Sequence, residues 1–475
     1  MSALGRRRPV RLILAAALLC LAAPAWPATA QGGVRPPGVP PPVDMAALPT
    51  ATEADTFPYT VHNPVTEQTA PVQQVAPCAH QPPGTALQVE AEPLAQRRLR
   101  IREAQQFATG RGQRIAVIDS GVYPHPRLFG RLSDGGDYIE NRSGLFDCDG
   151  HGTAVAGIIA AARDPATGFV GVAPGAEIVS IRQGSTFYSV PTRQLATGQE
   201  TSSNSAGDTT SMARAVNRAV RLGATVINIS EAACFPATPN QVNAPDLQAA
   251  VHDARTRNVV VVVAAANKGD CEQNPPGVVR TISSPGWFDD DVLTVAATDE
   301  NDDAADFSIR GPWVDVAAPG TGAVSLAASG SALTTVLVDA NGQQRTIDGT
   351  SFAAPYVAGL AALVRERFPQ LDATQVMRRI EQTAQNAGGP GGRSEDLGYG
   401  MVDPVAALTA VLPDEQPARV ATGRPDRLRD FHLPPPDDPL PKTIALAGSA
   451  AAIGLLGLTL LVVYTVNWYR RHNTQ

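Results

Sequence analysis

The sequence predicts an α/β protein, a parallel sheet covered by helices on both faces. Short, wholly apolar runs recur in the middle of the chain, among them Ile115-Ala116-Val117-Ile118 and the β-branched run at 259–264. Segments with helical periodicity alternate with them. The clearest is 211–222, where Met212, Ala215, Val216, Ala219 and Val220 share one face and Gly223 stops the helix. Strands without polar alternation are buried on both sides, and helices on both faces of a parallel sheet bury them so.

Taken in order, strands are expected at 115–118, 176–181, 226–230, 259–264 and 292–297. Helices are expected at 151–162, 211–222, 246–256 and from 351 to about 368. One stretch breaks the rhythm: 183–208 is long, polar and rich in Ser and Thr, and reads as an exposed inserted loop. The compact region spans 97–412.

Its flanks differ in kind. Arg6, Arg7, Arg8 and Arg11 precede an apolar run at 12–23, and Ala28-Thr29-Ala30 completes a signal peptide at 1–30. Residues 31–96 form a Pro-rich extension with no helical or strand period, an extended arm without the signals of a folded prodomain. A Pro- and Asp-rich linker at 413–442 leads to an uncharged apolar stretch at 443–466. At 1.5 Å per residue that stretch can cross a bilayer core of roughly 30 Å. Trp468 and Tyr469 suit the interface, and Arg470 and Arg471 place the tail at 467–475 in the cytoplasm. The expected protein is single-pass, with its bulk on the extracytoplasmic side. A net charge of −7 leaves no basic surplus for phosphates and argues against nucleic acid as a partner.

Three motifs carry chemistry. Ala116-Val117-Ile118-Asp119-Ser120-Gly121 puts a carboxylate at the end of a buried strand, where α/β sites form. Asp149-Gly150-His151-Gly152-Thr153 puts an imidazole at a helix start, with glycines on each side that let another chain approach. Gly349-Thr350-Ser351-Phe352-Ala353-Ala354-Pro355 puts a hydroxyl at the start of a long helix, with Pro355 expected in the first turn, where N–H groups lack partners. A Ser hydroxyl needs a base to become nucleophilic, His151 can serve near neutral pH, and Asp119 would orient and stabilise its imidazolium. The chain order Asp, His, Ser is one of those known for such triads. Asn267, after the strand at 259–264, would join the Ser351 N–H as an oxyanion donor. His125 lies in a Pro-flanked turn and is a poor rival base. Asp147, Asp149, Asp289, Asp290 and Asp291 match no calcium-loop spacing and read as solvated turns. The motifs call for no cofactor.

Cys20 leaves with the signal peptide, so Cys78, Cys148, Cys234 and Cys271 remain, an even number in an exported chain. No C-x-x-C spacing supports a metal site. Four Cys allow three pairings; loop lengths favour Cys78–Cys148 and Cys234–Cys271 without deciding.

These motifs resemble those of the subtilisin-like serine proteases, over about residues 97–412. Within them the chain is similar to the mycosins, membrane-anchored proteases of type VII secretion systems. That likeness rests on the Pro-rich arm, the Cys pattern, Asn228-Ile229-Ser230 before Ala233-Cys234, the segment 397–404 and the C-terminal apolar stretch. The resemblance implies a three-layer fold with a mostly parallel seven-stranded sheet, proteolysis of protein or peptide substrates, and residence beside a secretion complex in the membrane. It also implies that Ser230, Glu231, Ala232 and Ala266 line the primary specificity pocket. The segment Ile229-Ser230-Glu231-Ala232-Ala233 stands where many subtilisins carry a Gly pair and Ala266 where many carry Gly, so the pocket is expected to be shallow. A Cys78–Cys148 bond would pin the arm beside His151 as a lasting wrap rather than a removable inhibitor. A second reading, from a different class, is a scaffold that holds the secretion complex together.

Overall fold

Seven strands hydrogen-bond into one sheet. They are β1 (Arg114–Asp119), β2 (Leu132–Asp137), β3 (Glu177–Arg182), β4 (Val226–Ile229), β5 (Val260–Ala264), β6 (Leu293–Thr298) and β7 (Val316–Pro319). Their order is β7-β6-β5-β4-β1-β3-β2, and all six pairings are parallel. The computed structural model describes residues 38–59, 61–63, 68–70, 72–78, 89–189, 206–238, 244–385, 388, 392–415 and 454–468.

Successive side chains of β1 point to opposite faces, and each face is apolar. Ile115 and Val117 enter a core with helices α1 (His151–Ala160) and α4 (Thr350–Arg367). Ala116 and Ile118 enter another with α2 (Thr209–Arg221) and α3 (Pro245–Thr256). These are the three layers expected. Helix α2 starts two residues before its apolar face because Asp208 caps it, accepting from the Ser211 N–H while Ser211 Oγ accepts from Asp208 N–H.

Two strands escaped the sequence. Strand β2 reads Leu-Ser-Asp-Gly-Gly-Asp and lies at the sheet edge, so its sequence carries no apolar run. Strand β7 is only four residues long and ends in Pro319.

The arm lies along the protease core. Gln248 Nε2 donates to Pro41 O (2.6 Å), Asn217 Nδ2 to Pro49 O (2.7 Å) and Tyr138 Oη to Ala54 O (2.6 Å). Gln73–Gln74 pairs antiparallel with Tyr188–Ser189, and Cys78 is bonded to Cys148. The arm is not wholly irregular: Ala51–Ala54 makes one helical turn, closed by a Thr50–Glu53 capping box. The start of the expected exposed loop departs from its polar reading. Phe187 and Tyr188 are buried where they receive the arm, whereas Gln183 is buried against Ser211 and Ser185 against Asp149; residues 190–205 lie outside the described residues.

The chain divides into two units, Met1–Glu415 and Gln416–Gln475. In the second, residues 454–468 are helical. Among the described residues no helix is long and apolar enough to cross a membrane. The first part of the expected span, 443–453, lies outside them, as do the signal peptide at 1–30 and most of the linker at 413–442.

Candidate active site

Three adjacent strands deliver the site. Asp119 ends β1, the segment 230–232 follows β4, and Asn267 follows β5. All three therefore emerge at the carboxyl edge of the sheet. Asp119 is fully buried. Its Oδ1 lies 2.7 Å from His151 Nδ1 and also accepts from Ser120 N–H at 2.7 Å. His151 is the first residue of α1. A side chain at Gly152 would put Cβ 2.1 Å from Gly121 O and 3.0 Å from Asp119 Oδ1, so only glycine lets this helix start meet the end of β1.

The turn before His151 is braced by the acids expected to be solvated. Asp147 accepts from Ser120 Oγ (2.9 Å), Gly150 N–H (2.8 Å), Thr153 N–H (2.9 Å) and Thr153 Oγ1 (2.5 Å). Asp149 accepts from Ser185 Oγ (2.5 Å), Thr186 N–H (2.7 Å) and Thr186 Oγ1 (2.8 Å). Both are inward-turned supports because each satisfies several N–H and O–H donors, most of them brought from other segments. Burial pushes Asp147 up to about 6. Asp291 is also buried, against His252 and Arg255. His125 stays in its turn, Nδ1 accepting from Arg127 N–H, away from the triad candidates.

Ser351 is the second residue of α4 and is buried. Its backbone N–H is one of the helix's orphan donors. The His151 ring stacks 4.9 Å from the Phe352 ring, which ties the two motifs together. Asn267 Oδ1 accepts from Thr350 N–H (2.9 Å) and Thr350 Oγ1 (3.1 Å). That fixes the orientation of the amide and leaves Nδ2 as the group with which it can donate.

Pro355 corrects the sequence expectation. It is the sixth residue of α4, past the first turn. A proline there cannot donate to the carbonyl four residues back, which is that of Ser351. Ser230 Oγ supplies the missing donor, 2.9 Å from Ser351 O, and Asn228 Nδ2 donates in turn to Ser230 Oγ at 2.8 Å. Ser230 thus holds the Ser351 backbone. Asn228 was missed as a site residue; a buried strand Asn two residues before the Ser was its one visible signal.

Along 230–232 the side chains alternate. Ala232 packs in one cluster with Ala266, Cys234 and Cys271, whereas Glu231 turns to the other side, against Gly184. The second disulfide, Cys234–Cys271, braces the loop of Asn267, whose carbonyl accepts from Cys271 N–H at 3.0 Å. Both disulfides follow the pairing that loop lengths favoured. Ala266 sits at φ +84, a left-handed conformation that costs a non-glycine residue about 1 kcal/mol. Ala266→Gly is therefore expected to raise stability by ~0.5–1 kcal/mol, offset in part by chain entropy, and to open the pocket. Peptide-library cleavage should show wild type favouring small residues at the scissile carbonyl and the variant accepting larger ones. A wild-type preference for a large aromatic would defeat the shallow-pocket reading.

Burial favours the neutral imidazole of His151. The Asp119 carboxylate, with Glu231 and Asp147 beyond it, outweighs that and lifts the group to about 9.

Comparison with known proteins now decides the family. The model of the subtilase family matches residues 110–400. Mycosin-1 of Mycolicibacterium smegmatis is 41% identical over 381 residues, covering 76% of this chain and 82% of that protein. The chain belongs to the mycosin group of the subtilase family. It is a serine protease. The crystal structure of MycP1 from the ESX-1 type VII secretion system superposes with a TM-score of 0.69 at 39% identity, over 79% of this chain and 98% of that one. A chain in the structure of an intact ESX-5 inner membrane complex does so with 0.67 at 38%, over 90% of this chain and 99% of that one. The subtilase family accounts for the parallel seven-stranded sheet and for the motifs at its carboxyl edge.

Proposed function

We propose that Asp119, His151 and Ser351 are the catalytic triad of this serine endopeptidase, with Asn267 Nδ2 and the Ser351 N–H as its oxyanion donors. His151 takes the Ser351 proton as Oγ attacks the scissile carbonyl, and then gives it to the leaving amine. Water repeats the sequence on the acyl-enzyme. The observation that carries this reading is the 2.7 Å contact between His151 Nδ1 and the buried Asp119 carboxylate. It supports His151 Nε2 as the base, since Nδ1 is taken up by Asp119, and it would give the imidazolium a partner shielded from water.

The same proposal puts the enzyme on the extracytoplasmic side of a membrane, held by the apolar stretch 443–466, within a type VII secretion membrane complex. The likeness over 90% of the chain to a component of an ESX-5 inner membrane complex supports it. The arm's bonds at Pro41, Pro49 and Ala54 and its disulfide at Cys78 support a lasting wrap rather than a removable inhibitor.

The test is labelling of the full-length protein with a fluorophosphonate that traps activated serine. Labelling is expected in wild type and absent in Ser351→Ala. Folded wild-type protein that takes no label would sink the triad assignment and move weight to the scaffold reading.

A further inference from the structure

The Glu231 carboxyl group takes no part in the proposed triad chemistry. It stands one residue from Ser230, which holds Ser351, yet its side chain leaves on the opposite side of the extended segment. Its carboxyl lies over Gly184, so close that a Cβ there would meet Oε2 at 2.6 Å and Oε1 at 2.8 Å. Gly184 N–H in turn donates to Asp119 O at 3.4 Å. The carboxyl therefore sits beside the triad candidates, on the wall facing away from the Ala232–Ala266 cluster.

Its electrostatic surroundings are one-sided. The charged groups that act on it are Asp119, His151, Asp149 and Asp270, three acids and the candidate base. Among the described residues no Lys or Arg forms an ion pair with it. Burial, then the Asp119 carboxylate, pushes its proton affinity well above the carboxylate range. A half-buried carboxyl among acids is costly as an anion, and a bound cation would relieve that cost.

A substrate supplies such a cation by simple geometry. An extended peptide lying along 230–232 alternates its side chains between the two walls. If the residue at the scissile carbonyl faces Ala232 and Ala266, the residue before it faces Glu231. We infer that Glu231 is a specificity determinant that recognises an Arg or Lys side chain on the residue immediately preceding the one that contributes the scissile carbonyl. This rests on the protease assignment above, with Ser351 as nucleophile, and it adds a charge preference to the size preference of the adjacent pocket.

The experiment uses full-length enzyme and peptides identical except at that position, which carries Arg, citrulline or Glu. Citrulline keeps the shape of Arg and removes its charge. Wild type is expected to cleave the Arg peptide with a kcat/KM about tenfold or more above the citrulline peptide, and the Glu peptide least. In Glu231→Gln the Arg-to-citrulline ratio should fall to about one, and in Glu231→Arg the order of Arg and Glu should invert. Ratios are read within one protein preparation, so a general loss of activity does not imitate the result. Equal cleavage of the three peptides by wild type, or a ratio preserved in Glu231→Gln, overturns the inference and leaves the protease assignment standing. A wild type that neither cleaves nor takes the fluorophosphonate overturns both.

Discussion

Asp119→Asn is expected to lower kcat/KM for any peptide substrate by about 10⁴-fold while the protein stays folded. The substitution is nearly isosteric, and Oδ1 of the new amide can still accept from Ser120 N–H. What disappears is the charge. Asp119 Oδ2 is buried and has no hydrogen-bond partner among the described residues, so apart from the Ser120 N–H only His151 offsets the negative charge. Without that charge, the imidazolium formed during acylation sits in a buried site with its nearest counter-ion gone. The change belongs in the transition state, so kcat should carry the loss and KM should move little. Steady-state kinetics beside thermal unfolding check this. A variant that loses activity only in proportion to unfolded protein would mean that Asp119 is structural.

The pH profile carries the second large effect. In the proposed mechanism His151 must be neutral to accept the Ser351 proton, and the anions around it hold the protonated form up to about 9. The neutral fraction falls tenfold for each unit below that value. kcat/KM is therefore expected to climb with pH along a limb of unit slope, and to be about 100-fold lower at pH 7 than on the plateau. Glu231 gives up its own proton above the usual carboxylate range, so the limb reports the pair and not one residue. Glu231→Gln removes one of the anions and should shift the limb to lower pH. A wild-type limb centred near the ordinary imidazole value of about 6.5 would show that the surrounding acids do not act on the base.

How legible the site was depended on where its residues lie in sequence. Asp119, His151 and Ser351 each stand in a short motif whose neighbours announce an element end, so their approach could be argued from strand and helix starts alone. Asn267 was legible because it follows a continuous β-branched strand. Ser230 and Glu231 were both assigned to one pocket wall, and that was too coarse. Alternation along 230–232 sends Glu231 toward Gly184, while Ser230 is drawn to the carbonyl that Pro355 leaves unpaired. Asp147 and Asp149 read as solvated because Asp in a Gly-rich turn usually is. Their burial depends on donors from Ser120, Ser185 and Thr186, which only the fold brings near.

The sequence by itself determined the α/β class, the strands that alternate with helices, the triad candidates with their order, and the even number of cysteines. These are properties of local periodicity and of residue chemistry within a few positions. The tertiary structure alone decided the edge strands β2 and β7, the pairing of the cysteines, the seat of the arm on Tyr188–Ser189, and the separate duties of Ser230 and Glu231. Each of those depends on which distant backbone donors and acceptors meet. Hydrogen bonds formed over long sequence separations leave little local pattern for a single sequence to reveal.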